Sequence, residues 1–143
     1  MPAIPFPSAE WCVAYKNAIN NNAAYKTAGR DWTHGVVAMV VKADPALDIN
    51  EDIGMWLDVN QGECRDCRLV SAAEADKASF VIVADHAKWK QVIKKELDPI
   101  KAMMQNKLKL TKGHMPTIVK YVTASRELVE STSRVETKFR DEA

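Results

Sequence analysis

The chain has 143 residues, 47% apolar and 27% charged, and its 20 basic and 19 acidic residues leave a net charge of +1. This length suits one domain with a real core, residues 1–143, folded over about 8–131, and the composition excludes disordered, collagen-like and coiled-coil chains. So even a charge balance excludes a dedicated nucleic-acid binder, and no apolar run reaches the roughly 18 residues of a transmembrane helix.

Ser8 is placed to cap a first helix, whose apolar residues Trp11, Ala14, Tyr15, Ala18 and Ile19 form one buried stripe. Asn20-Asn21-Asn22 ends it, and Ala23 to Ala28 adds a short helical turn before Gly29. Gly35 to Ala43 is rich in valine and reads as a central strand covered on both faces. Ile53, Met55, Leu57 and Val59 alternate with more polar neighbours, the mark of a half-buried strand. Asn60-Gln61-Gly62-Glu63 turns the chain tightly, and Cys64 to Val70 returns as an outer strand. Ala78 to Ala84 is a further strand. Asp85 caps a helix carrying Trp89, Val92, Ile93 and Leu97, and Asp98-Pro99 restarts a helix that buries Ile100, Met103 and Met104. Lys107 to Lys112 alternates strictly, so it forms a short strand with Leu108 and Leu110 inward. Pro116 opens one last long helix with Ile118, Tyr121, Val122, Ser125, Leu128 and Val129 as its stripe, and the tail beyond Ser133 is expected to fray. The order predicts an α+β domain: a single five-stranded, mixed, mostly antiparallel sheet with helices on one face.

Charge is uneven along this plan. Asp44 to Ala78 holds nine acids against three bases, net −6, and Lys88 to Lys112 holds eight lysines against two acids, net +6. Such runs usually form solvated faces. The sharper reading of the lysine run is a basic rim that attracts anionic head groups.

Reactive chemistry finds little purchase. Cys64-Arg65-Asp66-Cys67 has a CxxC spacing, but on a regular strand the two thiols point to opposite faces, one buried and one exposed. A structural zinc also needs a second ligand pair. The three cysteines make no disulfide framework, and the opening Met1 to Pro7 has three prolines and no basic segment, so no leader peptide and a reducing cytoplasm are expected. His34, His86 and His114 stand apart, and no glycine-rich phosphate loop exists. No catalytic residue, metal or cofactor is expected.

What remains is an apolar surplus: Trp89, Ile93, Leu97, Ile100, Met103, Met104, Ile118, Tyr121 and Leu128 on helices, with Met55, Leu57, Phe80 and Ile82 on the sheet. Methionine suits surfaces that repack around varied guests. Composition alone leaves open whether these residues fill a core or surround a hollow one.

One ordered set of residues resembles a known family. Met55-Trp56-Leu57-Asp58-Val59, the Gly62 turn and Phe80-Val81-Ile82-Val83 precede Trp89-Lys90, Glu96-Leu97-Asp98-Pro99, Met103-Met104 and Lys107-Leu108-Lys109-Leu110. In that order they resemble the sterol carrier protein family of the type-two kind, the nonspecific lipid-transfer domains, from about Trp11 to Leu128. The resemblance implies a hydrophobic tunnel between sheet and helices. It also implies binding of fatty acid, fatty acyl-CoA, sterol-like lipid or phospholipid without catalysis. Within the resembling region, periodicity assigns the lining to the helix and sheet residues just named, together with Leu108, Leu110 and Val122. Lys95 and Asn106 stand where the family would have glycines, and the sequence ends Asp141-Glu142-Ala143 rather than in a peroxisomal Ser-Lys-Leu address.

Two rival readings stand beside the lipid carrier. One is an accessory or substrate-holding module in fatty-acid or aromatic catabolism. The other is a structural module that forms a homodimer through the open sheet face, with Val36, Ala38, Val40 and Trp56 exposed there. In the carrier reading the partners are a lipid and, transiently, a membrane surface, with no stable membrane anchor.

Overall fold

The computed structural model describes residues 3–142. Helices α1 (Ala9–Asn20) and α2 (Ala23–Ala28) lead into strands β2 (Val37–Val41), β3 (Ile53–Asn60) and β4 (Glu63–Ser71), after a short first strand β1 (Ile4–Phe6). The one-turn helix α3 (Ala72–Ala75), strand β5 (Phe80–Ala84), helices α4 (His86–Ile93) and α5 (Pro99–Met104) and strand β6 (Lys109–Lys112) follow. Helices α6 (Met115–Lys120) and α7 (Val122–Thr132) and strand β7 (Thr137–Phe139) complete the chain. The main sheet has five strands in the order β4-β3-β2-β5-β6. Within it only the β2–β5 pair is parallel, so the expected mixed, mostly antiparallel α+β sheet is present.

The expected caps form. Ser8, Asp85 and Asp98 each accept a hydrogen bond from a backbone N–H in the first turn of α1, α4 and α5, and Asn22, read only as part of the run that ends α1, caps α2 in the same way. The turn between β3 and β4 has positive φ at both Gln61 and Gly62, the signature of a two-residue type I′ hairpin. A side chain at position 62 would also strike the backbone of Lys26, its Cβ falling 2.5 Å from the carbonyl oxygen, so the hairpin tip docks on α2 only with glycine there.

Four sequence expectations are corrected. First, β3 and β4 lose register between Asp58 and Val59: Asp58 pairs with Asp66 but Val59 with Cys64, which leaves Arg65 as the extra residue of a β-bulge. The bulge turns Cys64 and Cys67 to the same face, and both are buried rather than one buried and one exposed. Second, the last helix is two helices, because Tyr121 leaves helical geometry at φ −103°, ψ 37°. Third, the tail is ordered. β7 pairs in parallel with β1, Val135 and Phe139 are buried, and the Trp11 indole donates to the Thr137 hydroxyl at 2.9 Å. Alternation through Val135, Thr137 and Phe139 turns one side of the tail inward onto Phe6 and Trp11. Fourth, the sheet face opposite the main helices is not an open apolar patch. Ala75 and Ala78 cover Ala38, Val40 and Val81 there, and the Arg68 guanidinium lies 5.3 Å over the Trp56 ring. Gly54 permits this cover, since a Cβ there would meet the Ala75 side chain at 3.0 Å.

Candidate functional site

Between the inner face of the sheet and helices α1, α2, α4, α5, α6 and α7 lies a cavity of about 110 Å³. That is several times the roughly 10–15 Å³ that holds one water. The sheet supplies Val37 and Met39 from β2, Met55, Leu57 and Val59 from β3, and Ile82 from β5. These are alternate residues of their strands, as one face of a pleat requires. The helices close the other side with Trp11 and Tyr15 of α1, Tyr25 of α2, Trp89, Val92 and Ile93 of α4, and Pro99 and Met103 of α5. Ile118 of α6 and the Tyr121, Ala124, Leu128 and Val129 stripe at the end of the chain finish the wall.

Four polar tips of this wall are bonded to backbone carbonyls. The Trp32 indole donates to Gly35 O at 3.0 Å and the Trp89 indole to Val40 O at 2.9 Å. The Tyr15 hydroxyl donates to Leu128 O at 3.0 Å and the Tyr121 hydroxyl to Asp31 O at 3.0 Å. These bonds satisfy the donors and tie α1, α4 and α7 to their neighbours. Burial raises the pKa of both the Tyr15 and the Tyr25 hydroxyl well above the ordinary tyrosine value. They therefore stay neutral, and neither serves as a base at neutral pH. No acid, amine, imidazole or thiol lines the cavity among the described residues. The arrangement favours an apolar guest held by burial.

Of the sixteen residues expected in the lining, the structure places ten on the cavity wall: Met55, Leu57, Ile82, Trp89, Ile93, Met103, Leu108, Ile118, Tyr121 and Leu128. Six lie elsewhere. Phe80 shares the inner face with Ile82 but is screened by the Trp32 ring, 5.2 Å away. Ile100 is buried off the wall. Met104 is 59% exposed, because α5 is a single-stripe helix of six residues and Met103 takes its inward place. Leu110 and Val122 are half-buried outside the lining. Leu97 lines a separate surface groove.

Sequence reasoning missed five aromatic residues of the wall: Phe6, Trp11 and Tyr15, which pack in turn on one another, and Tyr25 and Trp32. The α1 stripe was legible, but as plain core; nothing in its spacing says that its far side meets empty space. Of the eight lysines in the basic run, Lys95 alone touches the cavity or the groove. Lys90 is paired with Asp141 at 2.9 Å, and Lys112 donates to Asp76 O at 2.8 Å.

The groove lies beside the cavity, about 270 Å³ in volume, between the α4–α5 connection (Lys95, Leu97, Asp98, Pro99) and α7 (Arg126, Val129, Glu130). An ion pair from Lys95 to Glu130 spans it and holds the Glu130 carboxyl below its ordinary pKa.

A profile of the SCP-2 sterol transfer family matches residues 16–124. A crystal structure of sterol carrier protein 2 superposes with a TM-score of 0.83 at 34% identity, covering 90% of this chain and 97% of that one. A solution structure of a conserved hypothetical protein from Thermus thermophilus, possibly a sterol carrier protein, gives 0.83 at 33% identity over 92% and 90% of the two chains. The apo form of sterol carrier protein 2 from Yarrowia lipolytica shares the fold at 13% identity, with a TM-score of 0.53 over 84% and 87%. No curated protein matches the sequence. The profile spans most of the chain, through every strand of the main sheet, and on that ground the chain belongs to the SCP-2 sterol transfer family.

Proposed function

We propose that this protein binds a long-chain lipid — fatty acid, fatty acyl-CoA, phospholipid or sterol-like — in the cavity between sheet and helices and carries it without altering it. The observation that carries this reading is a hollow walled by large apolar side chains within the main hydrophobic core. Natural cores rarely leave such space unfilled, because each void forfeits dispersion contacts. The family points the same way. At about 110 Å³ the cavity is smaller than the roughly 300–1,000 Å³ of typical ligand pockets. Met39, Met55 and Met103 on its wall have the soft, unbranched side chains that make room for a guest.

A naturally fluorescent polyene fatty acid provides the test. It is expected to bind saturably at micromolar concentration, one per chain, and to be displaced by unlabelled oleate. Ile82→Lys, which sets a charge in the hollow, is expected to abolish binding while the circular dichroism spectrum is kept. Absence of displaceable binding to the wild-type protein at micromolar concentration overturns the reading.

A further inference from the structure

The groove and the cavity are not independent. Pro99 and Val129 line both, so this pair of side chains is the partition between the apolar hollow and the surface. On the groove side the floor is apolar (Leu97, Pro99, Val129) and the rim is charged (Lys95, Asp98, Arg126, Glu130). Arg126, Val129 and Glu130 sit at i, i+3 and i+4 of α7 and so share one face.

The rim charges differ in availability. Asp98 accepts the backbone N–H groups of Ile100 and Lys101, at 2.9 and 3.1 Å, and is engaged as a helix cap. Glu130 is engaged by Lys95. Arg126 is exposed and pairs with no carboxylate among the described residues. One guanidinium is therefore uncommitted beside an apolar floor, and a second cation is held back by a pair that solvent reaches. Lys95 also adopts φ +63°, in the left-handed region, where a lysine is strained and glycine is at ease. The local fold alone would be better served by glycine; the amine of Lys95 reaches across to Glu130 from that strained position.

Resting on the lipid-binding reading above, we infer that this groove is the mouth of the cavity: it receives the anionic head group of the lipid on Arg126, and the Lys95–Glu130 pair is a latch across it. The acyl chain then passes between Pro99 and Val129 into the hollow. When the head group arrives, its charge competes with Glu130 for Lys95, so the ligand itself loosens the latch. A carboxylate and a phosphate monoester present the same chemistry here, an exposed anion at the end of a chain.

The test pairs the fluorescent fatty acid with its uncharged methyl ester. Arg126→Glu is expected to weaken the acid about three- to tenfold at low salt, with the loss shrinking in high salt, and to leave the ester within twofold. Arg126→Gln is expected to fall between. Glu130→Gln is expected to tighten the acid, since Lys95 is freed for its head group, and to speed dissociation of the ester, which cannot open the latch itself. Lys95→Gly is expected to raise the melting temperature by relieving the backbone while it speeds release; a residue with only a structural role would not couple those two effects. Displacement by oleate but not by lysophosphatidate assigns the head group to carboxylates, and the reverse assigns it to phosphates; both support the mouth. Displacement by neutral or choline-headed lipid alone overturns it. Equal losses of acid and ester in Arg126→Glu, or unchanged ester dissociation in Glu130→Gln and Lys95→Gly, overturn it while the lipid-binding reading stands. If neither probe binds the wild-type protein, both readings fall together.

Discussion

At the scale of single residues, His86 is a polar group held inside an apolar cluster. It opens α4, its ring lies 6.1 Å from Phe6 and 6.0 Å from Phe139, and its Nε2 accepts the backbone N–H of Arg140 at 3.2 Å. Burial lowers its pKa below the ordinary value; nearby Asp141 and Asp44 oppose that shift, and Lys90 and Arg140 reinforce it. The folded state therefore binds this proton less readily than the unfolded chain. Stability from this residue is complete above the unfolded pKa of about 6.5 and is lost as pH falls below it. Protonation would also remove the acceptor that Arg140 uses. Melting temperature is expected to drop between about pH 7 and pH 5, and the drop to be smaller in His86→Gln, which cannot titrate; an equal drop in both assigns the effect to the carboxylates. In the sequence His86 stood only as one of three scattered histidines, because its burial depends on a tail 54 residues away in the chain. The positions where glycine was expected were legible in finer detail. Lys95 and Asn106 both have positive φ, +63° and +60°. The cysteines were not, because a bulge obeys no period: one inserted residue between them flips one thiol relative to the other.

At the scale of elements, the helices and long strands were legible because caps and periodicity agreed. Asp85 and Asp98 sit where the sequence puts them, and β3 alternates as written. The two short strands were not. β1 and β7 have three residues each, too few for a period to show, and their pairing joins opposite ends of the chain. Yet they are structural. Phe139 packs on Phe6 at 5.9 Å, with Lys90 over its ring. Removing residues 134–143 deletes Val135 and Phe139 from the core and leaves Trp11 without its Thr137 acceptor. By analogy with large-to-small core changes the cost is expected to be about 3–5 kcal/mol, read as a lower urea midpoint. The main sheet should survive, since no main-sheet strand pairs with β7. A truncated chain as stable as the full one would show the tail to be an appendage.

At the scale of the whole molecule, the layered α+β plan was legible, and so was about half of the wall on the sheet and on α4 and α5. The hollowness was not. A stripe such as Ala124, Leu128 and Val129 has the same spacing whether its far side meets side chains or space, so only the resemblance pointed to a cavity. The distinction can be tested by two responses of opposite sign. In a filled core, enlarging the buried Ala124 to leucine overpacks and costs about 1–3 kcal/mol. Ala124 faces the cavity, so Ala124→Leu is expected to leave the ligand-free protein as stable as before or more so, because the added carbons gain contacts in empty space. The same change takes room from the lipid. For the wild type, a fatty acid at a hundredfold excess over its Kd stabilises by about 2.7 kcal/mol, roughly 5–11 °C in melting temperature for a domain near this size. In Ala124→Leu that ligand-induced rise is expected to shrink to a small fraction. Calorimetric melting with and without oleate reads both quantities. If the ligand-free variant is destabilised and the oleate shift is retained, the space beside Ala124 is ordinary core and the lipid is held elsewhere.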